Sequence, residues 1–167
     1  MDTEYEVKIL DVNIDSVRKR LQALSAQAKG KKRFSRNTYD LPGETHRWLR
    51  LRTDGQETTI TLKERAHDGV DGTKELELGV DSFEEMHHII TLLGIPLTST
   101  QENERESYEL DDAQIEIDTW PGIPPYLEVE AKDEQTVKKM VQRLGFDWDK
   151  ATTKTTYDVY KHYGKDI

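Results

Sequence analysis

Two hydrophobic periods run through the chain. Apolar residues at every second position mark strands; apolar residues every three to four positions mark helices. Residues 4–10, EYEVKIL, put Glu4, Glu6 and Lys8 on one face and Tyr5, Val7 and Ile9 on the other. Asn13 is placed to cap a helix running to about Gln27, with Val17, Leu21, Leu24 and Ala28 on one side and Gly30 as its stop. Residues 31–41 read as a strand of poor alternation, and Pro42-Gly43 as a turn. Residues 47–53 and 58–64 form two strands around an Asp54-Gly55 hairpin turn. Residues 66–72 form an exposed loop, and KELEL at 74–78 sets Glu75 and Glu77 against Leu76 and Leu78.

The second half repeats the alternation. Asp81 and Glu84 resemble a capping box for a helix with Phe83, Met86, Ile89, Ile90 and Leu93 inward, ending at Gly94. A long strand covers residues 97–110, with Asn103 and Arg105 on one side and Tyr108 and Leu110 on the other. After an Asp111-Asp112 turn, Gln114, Glu116 and Asp118 oppose Ile115 and Ile117. Beyond the rigid PGIPP break, Glu128 and Glu130 oppose Leu127 and Val129. Asp133 starts a helix with Val137, Met140, Val141 and Leu144 inward, and a short helix ends the chain behind a Thr-rich entry. About eight strands joined mostly by hairpin-length links exclude a parallel doubly wound sheet.

Each clearly alternating strand has one apolar and one ionic face. Middle strands supply bases, whereas the first, fifth and last two supply acids. Two architectures satisfy this. Apolar faces meet in a sandwich and the charges face water, or a sheet closes with its charges inward and helices cover part of its outside. In the closed form, carboxylates at i, i+2 hold hard divalent cations and the bases hold an anion.

Composition narrows the function. The 167 residues fit one domain, residues 1–167, and 34% hydrophobic residues in periodic array exclude disorder. The net charge of −9 argues against a duplex nucleic-acid binder. The absence of Cys excludes disulfides, thiol nucleophiles and thiolate metal sites. No stretch has the length and apolarity of a membrane span or a signal peptide, so a soluble cytoplasmic protein is expected. The five His show no zinc spacing, and His87-His88 is expected on a helix surface.

Taken in order, the motifs resemble the CYTH domain, or triphosphate tunnel metalloenzyme, family. Glu4-x-Glu6-x-Lys8 looks like its N-terminal signature. LRLR at 49–52 resembles its Arg-x-Arg strand, ITLK ending at Lys63 its Thr-x-Lys strand, and KELEL its acidic fifth strand. Arg105 resembles its later basic position, DTWPGIPPYLEVE at 118–130 its Asp then Glu-x-Glu ending, and TTYDVY its C-terminal segment. One departure stands out: many members, class IV adenylyl cyclases included, carry Lys-x-Arg where this chain has Asn103-Glu104-Arg105.

The resemblance implies an α+β fold: an eight-stranded antiparallel closed β-barrel, the triphosphate tunnel, with helices packed outside. It implies a triphosphate-containing small molecule as partner and Mg²⁺ or Mn²⁺ as cofactor, in a monomer or homodimer. With no G-x-x-x-x-G-K-[ST] loop, side-chain cations must hold the phosphates. Lys8, Arg50, Arg52, Lys63 and Arg105 are the expected phosphate ligands. Glu4, Glu6, Asp118, Glu128 and Glu130 are the expected metal ligands, hard oxygens as these ions require. Glu75, Glu77 and Glu116 are second choices, equally suited to orienting the bases. Glu4, Glu6, Lys8 and Glu130 are the expected catalytic set. Three activities fit: metal-dependent triphosphate hydrolysis, class IV-type cyclisation of ATP to cyclic AMP and pyrophosphate, and triphosphate or polyphosphate binding without turnover. The chain offers no recognisable adenine pocket, and Asn103 leaves one cation out. Hydrolysis asks for less than cyclisation and is favoured.

Overall fold

The computed structural model describes residues 1–43 and 46–166. Its strands are β1 (Asp2–Ile9), β2 (Gln27–Asp40), β3 (Arg47–Thr53), β4 (Thr58–Arg65), β5 (Thr73–Val80), β6 (Leu97–Leu110), β7 (Ala113–Thr119), β8 (Tyr126–Ala131) and a two-residue β9 (Ala151–Thr152). Its helices are α1 (Ile14–Ala23), α2 (Phe83–Leu92), α3 (Glu134–Arg143) and α4 (Thr156–His162). The spatial order is β5-β4-β3-β2-β6-β7-β8-β1-β9, and an additional β5–β1 pairing closes β1 to β8 into an eight-stranded antiparallel barrel.

β1 makes the closure. Its residues 5–9 pair with β8 on one edge. On the other edge Asp2, Thr3 and Glu4 meet Glu75, Lys74 and Thr73 of β5, and Lys8 and Ile9 meet β9. Between these, the Glu6 N–H donates to the Val70 carbonyl at 3.2 Å, so a loop fills the gap in the ladder.

The apolar faces point outward, under the helices. Val7, Ile9, Ile115, Ile117, Leu127 and Val129 pack with Val17 and Leu21 of α1 and with Val137, Met140, Val141 and Leu144 of α3. α2 covers a second cluster, Tyr39, Leu51 and Ile90. α4 brings Val159 and Tyr160 to Trp120, Ile123 and Tyr126, where β7 passes into β8. The main cores therefore lie between barrel and helices. Of the two architectures open to the sequence, this is the closed one with its charges inward.

Several local expectations change. α1 stops at Ala23: Leu24 caps it, and Ser25, at φ 59°, reverses the chain. Gln27 and Ala28 belong to β2, and Gly30 is no helix stop; at φ 110° it sits where β2 shifts register against β6. Such a bulge needs a residue free to take positive φ. α2 is capped one residue later than expected, by Ser82, whose side chain accepts from the Glu85 N–H at 3.2 Å. Ile89 and Leu93 of that region are exposed, because only one edge of the short helix rests on the barrel. Leu76 and Leu78 on the outer face of β5 are exposed too, since no described helix covers them. His87 is not a free surface residue: its Nδ1 lies 2.8 Å from the Tyr39 hydroxyl.

These placements give a stability test. Leu21 is fully buried, and Leu21→Ala should cost about 2–5 kcal/mol in urea unfolding. Leu93→Ala, at a position 71% exposed, should stay within about 0.5 kcal/mol.

Candidate functional site: an ion-lined barrel interior

The inward faces follow from period two and from register. Lys8 lies opposite Glu128 and Glu6 opposite Glu130. Glu116 lies opposite Glu128, Arg105 opposite Asp118, and Lys63 opposite Glu75. Cross-strand partners point to the same side of a sheet, so one interior receives all of them. Arg50 and Arg52 enter it from β3, opposite Thr38 and Arg36 of β2. The expected site residues thus converge on one cavity; Glu77 is an exception in depth, lying exposed at its margin.

The bases sit among acids in a definite pattern. Arg105 Nε and Nη2 donate to the two Asp118 oxygens at 2.7 and 2.6 Å, Nη2 also donates to Glu128 at 2.9 Å, and Nη1 pairs with Glu116. Lys8 Nζ bridges Glu6 at 2.5 Å and Glu128 at 3.0 Å. Lys63 Nζ donates to both Glu4 oxygens at 2.8 Å and lies 3.3 Å from Glu75. Arg50 Nη2 donates to Thr61 at 3.2 Å and to Glu77 at 3.3 Å, and Arg52 lies 3.7 Å from Glu77.

The titrating groups respond to this packing. Burial alone would raise the Glu128 carboxyl, but Lys8 and Arg105 together hold it well below the usual carboxylate range. Burial would likewise lower Lys8 and Arg105; Glu128 and Glu6 raise Lys8, and Asp118 and Glu128 raise Arg105, in each case well above the ordinary value. Glu130 has no Lys or Arg partner among the described residues. Burial, then Glu6, Glu128, Glu4 and Glu116, push it up to about 8. Burial raises Glu116 to about 7 against the pull of Arg105. Burial also raises Glu4, with Lys63 opposing.

Two inward residues escaped the sequence reading, Arg36 and Trp120. Arg36 is 7% exposed and donates to Asn103 Oδ1, and its Cζ sits 4.5 Å from the centroid of the Trp120 ring. The signal for Arg36 was its place at i+2 from Phe34 and two before Thr38, blurred by charges on both faces of β2. Among the described residues, four buried side-chain atoms have no partner: Arg36 Nε, Arg50 Nε, Thr59 Oγ1 and Trp120 Nε1. All belong to inward positions.

No three His, Asp or Glu side chains among the described residues form a ready-made metal cage. The donor chemistry nevertheless suits a hard divalent ion. Glu4, Glu6 and Glu130 crowd together, and their mutual repulsion on Glu130 is what a divalent ion would relieve. Asp118 and Glu128 are engaged by Arg105 and Lys8 and would have to share.

Fold and interior define an antiparallel barrel enclosing an ionic tunnel. The family model of the CYTH domain matches residues 2–155, and the chain belongs to that family. Solved structures agree in fold. PH1012 from Pyrococcus horikoshii OT3 is 22% identical, with TM-score 0.81 over 93% of this chain and 98% of its own. A Vibrio parahaemolyticus protein described as a candidate adenylate cyclase is 12% identical, with TM-score 0.80 over 96% of this chain and 98% of its own. HpAC1 from Hippeastrum, an adenylyl cyclase candidate described as having a dominant triphosphatase activity, is 15% identical, with TM-score 0.65 over 100% and 98%. Among curated proteins no significant match was found. No helix among the described residues is long and apolar enough to cross a membrane.

The raised carboxyls set a pH dependence. Glu130 and Glu116 hold their protons in the folded state up to about 8 and about 7, while unfolded Glu releases its proton near 4.5. Between these values the folded chain binds more protons, so stability falls as pH rises. Thermal melts of the metal-free protein should show Tm declining from pH 5 to pH 8. Glu130→Gln should flatten that decline and raise Tm at pH 8; an unchanged slope would contradict the crowding of Glu130.

Proposed function

We propose that the protein is a divalent-metal-dependent triphosphatase, acting on inorganic tripolyphosphate or on a triphosphate with a small organic group held inside the barrel. One observation carries this reading: a cationic wall with a buried N–H left free faces an acidic wall with a carboxyl left without a cation, across the barrel interior. On the β3–β4 wall the Arg50 guanidinium pairs with Glu77 through Nη2, and its buried Nε has no partner among the described residues. On the β1–β8 wall Glu130 has no cation partner among the described residues, and burial, with four neighbouring glutamates, pushes it to about 8. A triphosphate bound with a divalent ion carries the complementary pair. Its phosphates suit the basic wall, its metal the acidic one.

Each side chain then has a role. Arg50, Arg52 and Lys63 bind and align the phosphate oxygens, the guanidinium forks fixing geometry as well as charge. Lys8 and Arg105, already held by carboxylates, join them at the centre. Glu4, Glu6, Asp118, Glu128 and Glu130 would hold the divalent ion, which when bound neutralises phosphate charge and acidifies water. In the empty barrel Glu130 keeps its proton up to about 8, and a bound divalent ion would favour its carboxylate form. Water attacks the terminal phosphorus in line, the P–O bond to the leaving phosphate group breaks, and the proton lost by the water is taken up by the phosphate products.

A substrate panel of tripolyphosphate, thiamine triphosphate and ATP with Mg²⁺ or Mn²⁺, read for phosphate and for cyclic AMP, tests the reading. Phosphate release from tripolyphosphate, abolished by EDTA, is expected. Cyclic AMP as main product, with little release from tripolyphosphate, would favour cyclisation, and binding without product would favour a carrier. Arg50→Ala should lower kcat/KM for tripolyphosphate by roughly 10- to 100-fold, the scale of one charge-assisted hydrogen bond or a little more.

A further inference from the structure

Arg36 is the interior cation with the least support from the protein. Its guanidinium is buried, yet no carboxylate among the described residues lies within ion-pair distance. The acid whose charge reaches it, Asp118, has both oxygens taken by Arg105. Its one hydrogen bond goes to Asn103, a neutral group, and its Nε has no partner. Arg52 stands directly opposite it in the β2–β3 ladder. Like charges facing each other across a ladder repel. A buried guanidinium without a counter-ion is costly to a folded chain.

The arrangement is nonetheless built to hold the group in place. The guanidinium lies on the Trp120 ring at 4.5 Å, and Trp120 is itself fixed edge-on against Tyr160 at 6.3 Å. Asn103 reaches on to Asp118, its Nδ2 donating at 3.4 Å, so the amide orientation that accepts from Arg36 is braced from the other side. The indole under the guanidinium adds a second buried donor with no partner, Nε1. A cation positioned this carefully, with a free donor edge, lacks only an anion.

We propose that Arg36 forms an anion subsite in the barrel, binding one phosphate group of the polyphosphate ligand beside those held by Arg52 and Arg50. The proposal rests on the triphosphate reading above and adds to it a β2 ligand seated on Trp120. Burial, followed by Arg50 and Arg105, pushes Arg36 down to about 9, and burial with Arg50 pushes Arg52 to about 10, as expected of guanidiniums crowded together without an anion. A tetrahedral oxyanion accepting from Nε and a terminal nitrogen would satisfy the fork and separate the two facing arginines electrostatically.

Calorimetric titration of tripolyphosphate, in EDTA and again with Mg²⁺, into the wild type, Arg36→Gln and Arg36→Lys provides the test. Arg36→Gln should weaken binding roughly 10- to 100-fold while the ligand-free Tm holds or rises, and Arg36→Lys should recover part of the affinity. An Arg36→Gln protein that binds as the wild type does overturns the subsite alone. A wild type that binds no tripolyphosphate overturns the subsite together with the triphosphate reading. A direct measurement covers the case in which Arg36→Gln does not fold. In the wild type, the Arg36 Nε–H resonance, assigned by its absence from Arg36→Lys, should shift on saturation with tripolyphosphate. A resonance that stays in place shows a residue that only braces Trp120.

Discussion

The whole site depends on β1 being paired on both edges. Three residue pairs with β5 turn an open antiparallel sheet into a tube, and they do so at the strand that carries Glu4, Glu6 and Lys8. Closure by so short a ladder brings acids from β1 and β5, Glu4 and Glu75, close together, which opposes it electrostatically. Side-chain ion pairs offset that cost. Lys63 of β4 reaches over β5 to hold Glu4, and Lys8 ties Glu128 of β8 to its own strand. The residues that would meet a ligand are therefore the residues that hold the seam. This changes what Lys63 is: as one base in a cationic cluster it looks dispensable to the fold, but its contacts with Glu4 and Glu75 make it part of the closure.

The helices explain why such an interior is tolerated. A tube lined by charge has no hydrophobic core of its own to stabilise it. The stabilising apolar burial lies outside, where α1 and α3 cover β1, β7 and β8, and α2 covers β3. Stability and ligand chemistry occupy opposite faces of the same strands. A strand slipped by one residue would exchange the two faces, so the outer core also fixes which charges point inward.

The same separation decides how much could be read from sequence. β3 and β6 emerge with the bounds Arg47–Thr53 and Leu97–Leu110 from alternation and flanking turns alone. The ionic faces of β1, β7 and β8 were legible because their opposite faces are apolar without interruption. β2 was not. Its first half stands in solvent, where Lys31 and Arg33 pair with Glu104 and Glu102 of β6, so both faces are polar and the period disappears. Arg36 was hidden in that noise. α1 was overextended for a related reason: Gln27 and Ala28 suit a helix, and only the reversal at Ser25 ends it. Closure itself left no trace in any single strand, since it is a relation between β1 and β5.

Charge at two scales must be reconciled for a polyanion to enter. The chain carries a net −9, which repels a polyphosphate at a distance. That repulsion is screened beyond about 8 Å at physiological ionic strength, whereas buried groups are screened far less. Within the barrel the relevant balance is local: among the described residues Arg36 has no carboxylate within ion-pair distance, Arg50 and Arg52 share Glu77, and Glu130 on the other wall has no base. A free polyphosphate meets only half of that demand and adds to the crowding of the acids. On the proposed reading its divalent-metal complex would meet both halves and approach with less charge. The surface field and the cavity would thus both disfavour the bare anion relative to its metal complex.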